Sequence, residues 1–365
     1  MKPRFERGRR DDLRTLHPAY FAMVMATGIV ALSAQLHDMP GVAAMLFWLN
    51  ALFLAGLLAA TGARIVRYPR EVAADLRSHH RGVGFFTLVA ALAVFGAQLD
   101  LQRGEARLAG VFWAIAAMLW AVMTYGVLSL LMAKADKPRL ADGLNGGWLV
   151  IVVAPQSVAI LTVLILAHGL FAGLAPTLMF LALALWLIGG ALYLWITTLI
   201  FYRYTFVPMM PEDFSPPDWI NMGAVAISAL AGATLVQHAG LSSLVGDIVP
   251  FVKGLTLFFW AIATWWIPLL AVLGSWRYLI SGLPIAYGPL DWGGVFPLGM
   301  YSVSTYSLME ILDATFLAGL SMAFTIIALA AWLVTLLGFV ISRVAPRRAG
   351  RRSPAAPARV PDSAP

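Results

Sequence analysis

Cysteine is absent from the 365 residues, which excludes disulfides, thiolate metal centres and a cysteine nucleophile. Charge is scarce as well: 12% of residues are Asp, Glu, Lys or Arg, about half of the roughly 25% usual in soluble domains. None of these lies near the middle of a long apolar run, where an ionisable group would mark an ion path or a proton relay. The six histidines, His17, His37, His79, His80, His168 and His238, sit at or between the ends of such runs. A membrane haem needs axial histidines paired on facing helices, so no haem is expected. No spacing resembles a metal site, a nucleophile with its base, or a phosphate-cradling glycine loop, and the methionines are scattered as packing residues. The sequence therefore carries no expectation of a cofactor or of catalysis.

What remains is hydrophobic. Apolar residues make up 61% of the chain and the mean hydropathy is +0.82, so this is an integral membrane protein of the all-α class. A span takes about 20 apolar residues. Ten such spans are expected, near 17–36, 42–63, 83–100, 109–133, 148–171, 175–201, 219–239, 249–275, 290–311 and 314–342. The first follows a basic head and superficially resembles a secretory signal, but it exceeds the ~7–15 residues of a signal core and further spans follow; no cleavage is expected. The organisation is a basic head (1–13), a ten-helix transmembrane domain (14–344), and a Pro-, Ala- and Arg-rich tail (345–365) expected to be disordered.

The net charge of +7 reflects membrane orientation rather than nucleic acid. With the N-terminus inside, 22 Lys and Arg fall on the cytoplasmic side and 3, namely Arg103, Arg107 and Lys253, on the other. Such a bias places both termini in the cytoplasm of a bacterial-type plasma membrane, which demands an even number of spans. Tryptophan divides the spans again. Ten of the 13 are on or beside even-numbered spans, and Trp148, Trp219 and Trp292 mark the starts of odd ones. Odd spans are rich in small residues, as in Ala224 to Ala233. Small residues suit close helix contact and bulky ones suit lipid. The expectation is five helical hairpins, with odd-numbered inner helices around a central pore and even-numbered helices outside.

One odd span stands apart. Asp291 to Glu310 carries glycines at 293, 294 and 299, a proline at 297 and a face of hydroxyls. An anchor has no use for these, whereas a helix lining a path does: small residues leave room and a proline frees a backbone carbonyl. Pro155, followed by Gln156, interrupts the fifth span in the same way.

Two stretches carry a resemblance to a known family. His17-Pro18-Ala19-Tyr20-Phe21 through Thr27-Gly28-Ile29 is similar to the first-helix signature of the tellurite-resistance/C4-dicarboxylate transporter family, which includes slow-type anion channels and malic acid transport proteins. Trp292-Gly293-Gly294-Val295-Phe296-Pro297 through Thr305 resembles its ninth-helix signature. The resemblance implies five hairpins about a quasi-fivefold axis, a pore blocked by the phenylalanine at 296 beside Pro297, and a homotrimer with one pore per subunit. It also implies transport of a small inorganic or dicarboxylate anion. Candidate pore-lining residues are Phe21, Thr27, Gly28, Pro155, Gln156, Met300, Ser304 and Ser307. Helix ends and hydroxyls would hold a passing anion weakly, as conduction requires. A channel or facilitator is expected first; a proton-coupled or exchange carrier for malate, sulfite or tellurite is the alternative. Hydropathy sets Phe296 close to the cytoplasmic end of its span, shallow for a central gate.

Overall fold

The computed structural model describes residues 13–284 and 287–344; most of the basic head and the whole tail lie outside them. Ten long helices are present among the described residues: α1 (Ala22–Leu36), α2 (Pro40–Arg67), α3 (Phe86–Arg103), α4 (Ala106–Met132), α5 (Val150–Ala167), α6 (Ala175–Phe206), α7 (Ile220–Gln237), α8 (Val249–Ser275), α9 (Trp292–Leu312) and α10 (Ala318–Val344). Nine are long and apolar enough to cross a membrane. The exception is α9, whose glycines, serines and tyrosines lower its hydropathy.

The odd helices form a closed ring: α1 packs on α3, α3 on α5, α5 on α7, α7 on α9, and α9 back on α1. Each even helix packs on the odd helix before it. Burial follows the same division. The spans built on α1, α3, α5 and α7 bury between 78% and 94% of their most apolar stretch, against 17% to 44% for those built on the even helices. In α9, 15 of the 21 residues are buried. Even helices direct large apolar side chains such as Trp48, Met118, Trp195, Phe258 and Val334 outwards, where lipid takes the place of water.

Small residues set how tightly the ring closes. A Cβ on Gly299 of α9 would stand 3.0 Å from Ile29 of α1, and one on Gly96 of α3 would stand 2.6 Å from Leu161 of α5. At Gly223 of α7 a Cβ would lie 2.8 Å from Pro297 Cγ and 3.1 Å from its Cα. The proline of α9 is thus seated on a glycine of its neighbour.

Tryptophan corrects one expectation about cause. Trp48 and Trp195 do face outwards, but five even-helix tryptophans turn inwards and act through their indole N–H. Trp113 of α4 donates to Thr162 Oγ1 of α5 at 2.7 Å, and Trp186 of α6 donates to Ser228 O of α7 at 2.8 Å. Trp260 of α8 reaches Thr305 Oγ1 of α9 at 2.9 Å, and Trp332 of α10 reaches Thr27 Oγ1 of α1 at 2.9 Å. Each ties an outer helix to the inner helix of the following hairpin. Between α2 and α3 an amide does the same, with Asn50 Nδ2 donating to Gln98 Oε1 at 2.6 Å. The fifth, Trp266 of α8, donates to Tyr193 OH of α6 at 2.9 Å and joins two outer helices. Tryptophan abounds on even helices because a large ring with one N–H fills space and binds across a helix boundary, besides any affinity for lipid.

The Gly223 contact leads to a test. Gly223→Val forces its side chain onto a rigid ring and backbone, and is expected to cost about 1–3 kcal/mol. Its thermal midpoint in detergent should fall well below wild type. Gly56→Val, where nothing lies within 4 Å, should not change it; equal behaviour of the two would refute the packing role.

Candidate functional site

Every inner helix begins with a 3₁₀ turn: Pro18–Phe21, Gly82–Phe85, Gly146–Leu149, Pro216–Trp219 and Pro289–Asp291. Helix starts leave N–H groups without intrahelical partners, and these turns satisfy some of theirs locally. His17 Nδ1 accepts from Ala19 N at 3.1 Å and Asn145 Oδ1 from Gly147 N at 2.9 Å. Asp291 Oδ2 accepts from Gly288 N at 2.9 Å. Asp218 is fully buried and serves two turns, accepting from Gly146 N at 2.9 Å, Ser215 N at 2.7 Å and Tyr204 OH at 2.7 Å. Gly146 is required there, since a Cβ would meet Pro217 O at 2.4 Å.

Two cavities lie on the ring axis, each lined by all five inner helices. The one at the helix starts, about 70 Å³, has His17, His80, Thr87, Asn145, Ser215 and Phe296 in its wall. That is room for about two waters. The one at the helix ends, about 330 Å³, includes Gln35, His168, His238, Tyr306, Ser307 and Glu310, a volume at the lower end of small-ligand sites. On α9 the first cavity reaches Phe296 and the second begins at Val303. Seven residues at about 1.5 Å rise separate them by about 10 Å of closed helix packing. Phe296, 1% exposed, therefore stands at the edge of the closed section nearer the helix starts, in the first turns of α9.

The candidates distribute as follows. Met300 is buried one turn beyond Phe296 on the same stripe, and Ser307 lines the second cavity. Ser304 is buried and donates to Tyr301 O at 3.1 Å. Thr27, Gly28 and Gln156 are engaged between helices. Thr27 receives Trp332, Gly28 abuts Val94, Asn50 and Gln98, and Gln156 Nε2 donates to Trp186 O and Ser228 Oγ at 3.0 and 3.1 Å. Pro155 is buried within α5 and lines neither axial cavity. Phe21 lines a small side pocket against Arg64 and Ile65 of α2. The sequence missed the caps Asn145 and Asp218, which read as loop, and the buried carboxylate of Asp100. Asp100 looks terminal by hydropathy, yet its side chain is wholly buried 2.9 Å from His168 Nδ1.

Beside the first cavity, Asp75 binds Arg64 and Arg81, both at 2.7 Å. Arg64 donates also to Arg14 O, and Arg81 to Thr15 O and Leu16 O, so this triad holds the backbone that leads into His17. Two guanidinium groups against one carboxylate leave this triad itself net positive. Burial first, then Arg81, pushes the His17 imidazole down to about 4; Asp75 opposes this and Arg64 adds to it. His17 is therefore neutral near pH 7, which its role as acceptor from Ala19 N requires. The unfolded chain takes up this proton near the ordinary value of 6.5, the folded one only near 4, so stability is lost as pH falls through that window. A thermal midpoint followed downward through it should decrease, and His17→Asn, which keeps the cap, should decrease less. Identical decreases would remove His17 from the account.

Comparison with known proteins agrees with this geometry. Residues 15–340 match the model of the SLAC1 family, described as voltage-dependent anion channels. Two uncharacterised transporters of Methanocaldococcus jannaschii are each 24% identical over 334 residues, which cover 89% and 90% of this chain and 94% and 93% of theirs. An uncharacterised membrane protein of Mycobacterium tuberculosis is 33% identical over 149 residues, 41% of this chain and 75% of its own. Family and names alike point to transport rather than catalysis. A helical membrane protein whose inner helices enclose two axial cavities about a phenylalanine, this chain belongs to the SLAC1 family of voltage-dependent anion channels.

Proposed function

We propose that the protein is a channel or facilitator for small anions, with Phe296 as its gate and Pro297 as the support that fixes it. The observation that carries this reading is the pair of coaxial cavities, each bordered by all five inner helices and separated by about two helical turns of closed packing. The stripe on α9 across that interval, Phe296, Met300 and Val303, is apolar. An apolar constriction of this kind excludes water and ions together until a side chain moves.

Anion preference has two physical sources. Five inner-helix starts converge on the first cavity with their positive dipole ends, and Arg64 and Arg81 outweigh Asp75 beside it. None of these is a tight cage, which suits an ion that must leave again. In this reading the first cavity faces the cytoplasm of a bacterial-type plasma membrane, because Lys and Arg concentrate at that end. The family resemblance adds a homotrimer with one pore per subunit. The permeant species would be an inorganic or dicarboxylate anion.

Phe296→Ala should raise anion conductance several-fold in planar bilayer recordings, while Phe258→Ala, on the outward face of α8, should leave it as it was. An unchanged current in the first variant would overturn the gate assignment.

A further inference from the structure

Asp100 is a buried charge for which the conduction path described above has no use. Its side chain is wholly shielded, and neither carboxylate oxygen has a hydrogen-bond partner among the described residues; the group facing it is His168, whose Nδ1 lies 2.9 Å away. An ionised carboxylate in such a place costs several kcal/mol unless a cation faces it. His168 terminates α5, and its Nδ1 also lies 3.2 Å from Leu164 O. Both neighbours of that nitrogen are acceptors, so Nδ1 carries a hydrogen. The imidazole itself is about half exposed, at 48%, and borders the 330 Å³ cavity. Its second nitrogen, Nε2, is thus the one left for the cavity to use.

His238 repeats the arrangement at the end of α7. Its Nδ1 is 3.1 Å from Thr234 O, and it borders the same cavity. A second carboxylate, Glu310 of α9, accepts from Gln237 Nε2 at 2.8 Å. The other charged or titratable groups around Asp100 are placed elsewhere. Arg103 of α3 lies over the rings of Phe47 and Trp48 at 5.0 and 4.9 Å. His37, beyond the end of α1, is engaged with Ser321 and Thr325 at 3.0 Å. Of the outer helices packed on α3, α2 carries its arginines at the opposite end, and α4 opens with Glu105 and Arg107 beyond the Gly104 turn. The cavity wall on α1 and α9 is completed by Gln35 and Tyr306.

The sum of charge decides what this cavity admits. Glu310 keeps a negative charge on the wall and Asp100 is ionised only when a cation faces it, so with neutral imidazoles an entering anion meets the Glu310 charge with no cation to offset it and is repelled. With both imidazoles protonated the charges balance, and two Nε2–H donors become available for charge-assisted hydrogen bonds to an anion. We propose that protonation of His168 and His238 is the condition for anion entry at this end, with Asp100 as the residue that positions His168. This rests on the anion-conducting reading and adds its condition: the anion enters only on the protonated cavity.

The test is anion efflux and influx by the full-length protein in liposomes, with internal pH held fixed and external pH set to about 5 or about 8. Protein oriented with this cavity outward should carry about tenfold more flux at the acidic value, the scale expected when a vestibule changes its charge. The double variant His168→Gln with His238→Gln should be slow at both values. Asp100→Asn with Glu310→Gln should be fast at both. Monodisperse elution of each variant guards against misfolding, and the half-exposed His168 alone, as Gln, gives a milder check with a reduced ratio. Wild-type flux that is the same at both values, or a full tenfold response in the double histidine variant, would overturn the inference while leaving anion transport intact. No wild-type flux of any anion at either value would overturn both.

Discussion

Inside an apolar layer a polar group with no partner costs several kcal/mol, and this requirement shapes the architecture at every level. The chain keeps polar side chains on its inner helices; some, such as Ser157, Thr234 and Ser304, bond back to their own helix, and others are consumed between helices. Thr27, Thr162, Thr305 and Gln98 accept from the outer layer. Ser33, Ser302, Ser321 and Thr325 form a hydroxyl cluster that joins α1, α9 and α10. Satisfying these groups fixes the rotation of each helix, and the rotation decides which residues are left for the axis. The walls of the two axial cavities are what remains after the ring has been tied together.

The two ends of the ring solve the same problem with different chemistry. Helix starts leave N–H donors, and the chain meets them with acceptors: a neutral histidine, an asparagine and two aspartates. Helix ends leave carbonyls, and three of the five meet them with imidazole. His37, His168 and His238 each stand within 3.2 Å of the carbonyl four residues earlier. Three of the ring's helix ends thus carry a capping histidine, against the single one, His17, at the helix starts. There the burial of His17 and its arginine neighbours suppresses titration. The polarity of the fold follows from the direction of its inner helices.

Much of the fold was legible in the chain. Ten apolar runs, an uneven spread of Lys and Arg, and small residues on alternate runs sufficed to place odd helices inside, because composition records what each surface touches. The family resemblance singled out Phe296 and Pro297, and the structure sets Phe296 in the wall of the first cavity, in the first turns of α9. Thr27, Gly28 and Gln156 were not separable from true wall positions. A small or hydroxylated residue serves a helix contact and a lumen equally well, and the sequence does not state its rotation. Asp218 and Asp100 escaped for a related reason, since hydropathy assigns a carboxylate at the end of a run to solvent.

The sequence by itself determined the membrane class, the alternation of inner and outer helices, and the end at which basic charge collects. These depend only on which residues tolerate lipid and which do not. The tertiary structure alone decided where the axis is closed, that Pro297 rests on Gly223, and that Asp100 faces His168. Each of these is a meeting of residues far apart in the chain, fixed by the order and rotation of helices in the ring. Local composition holds no record of either.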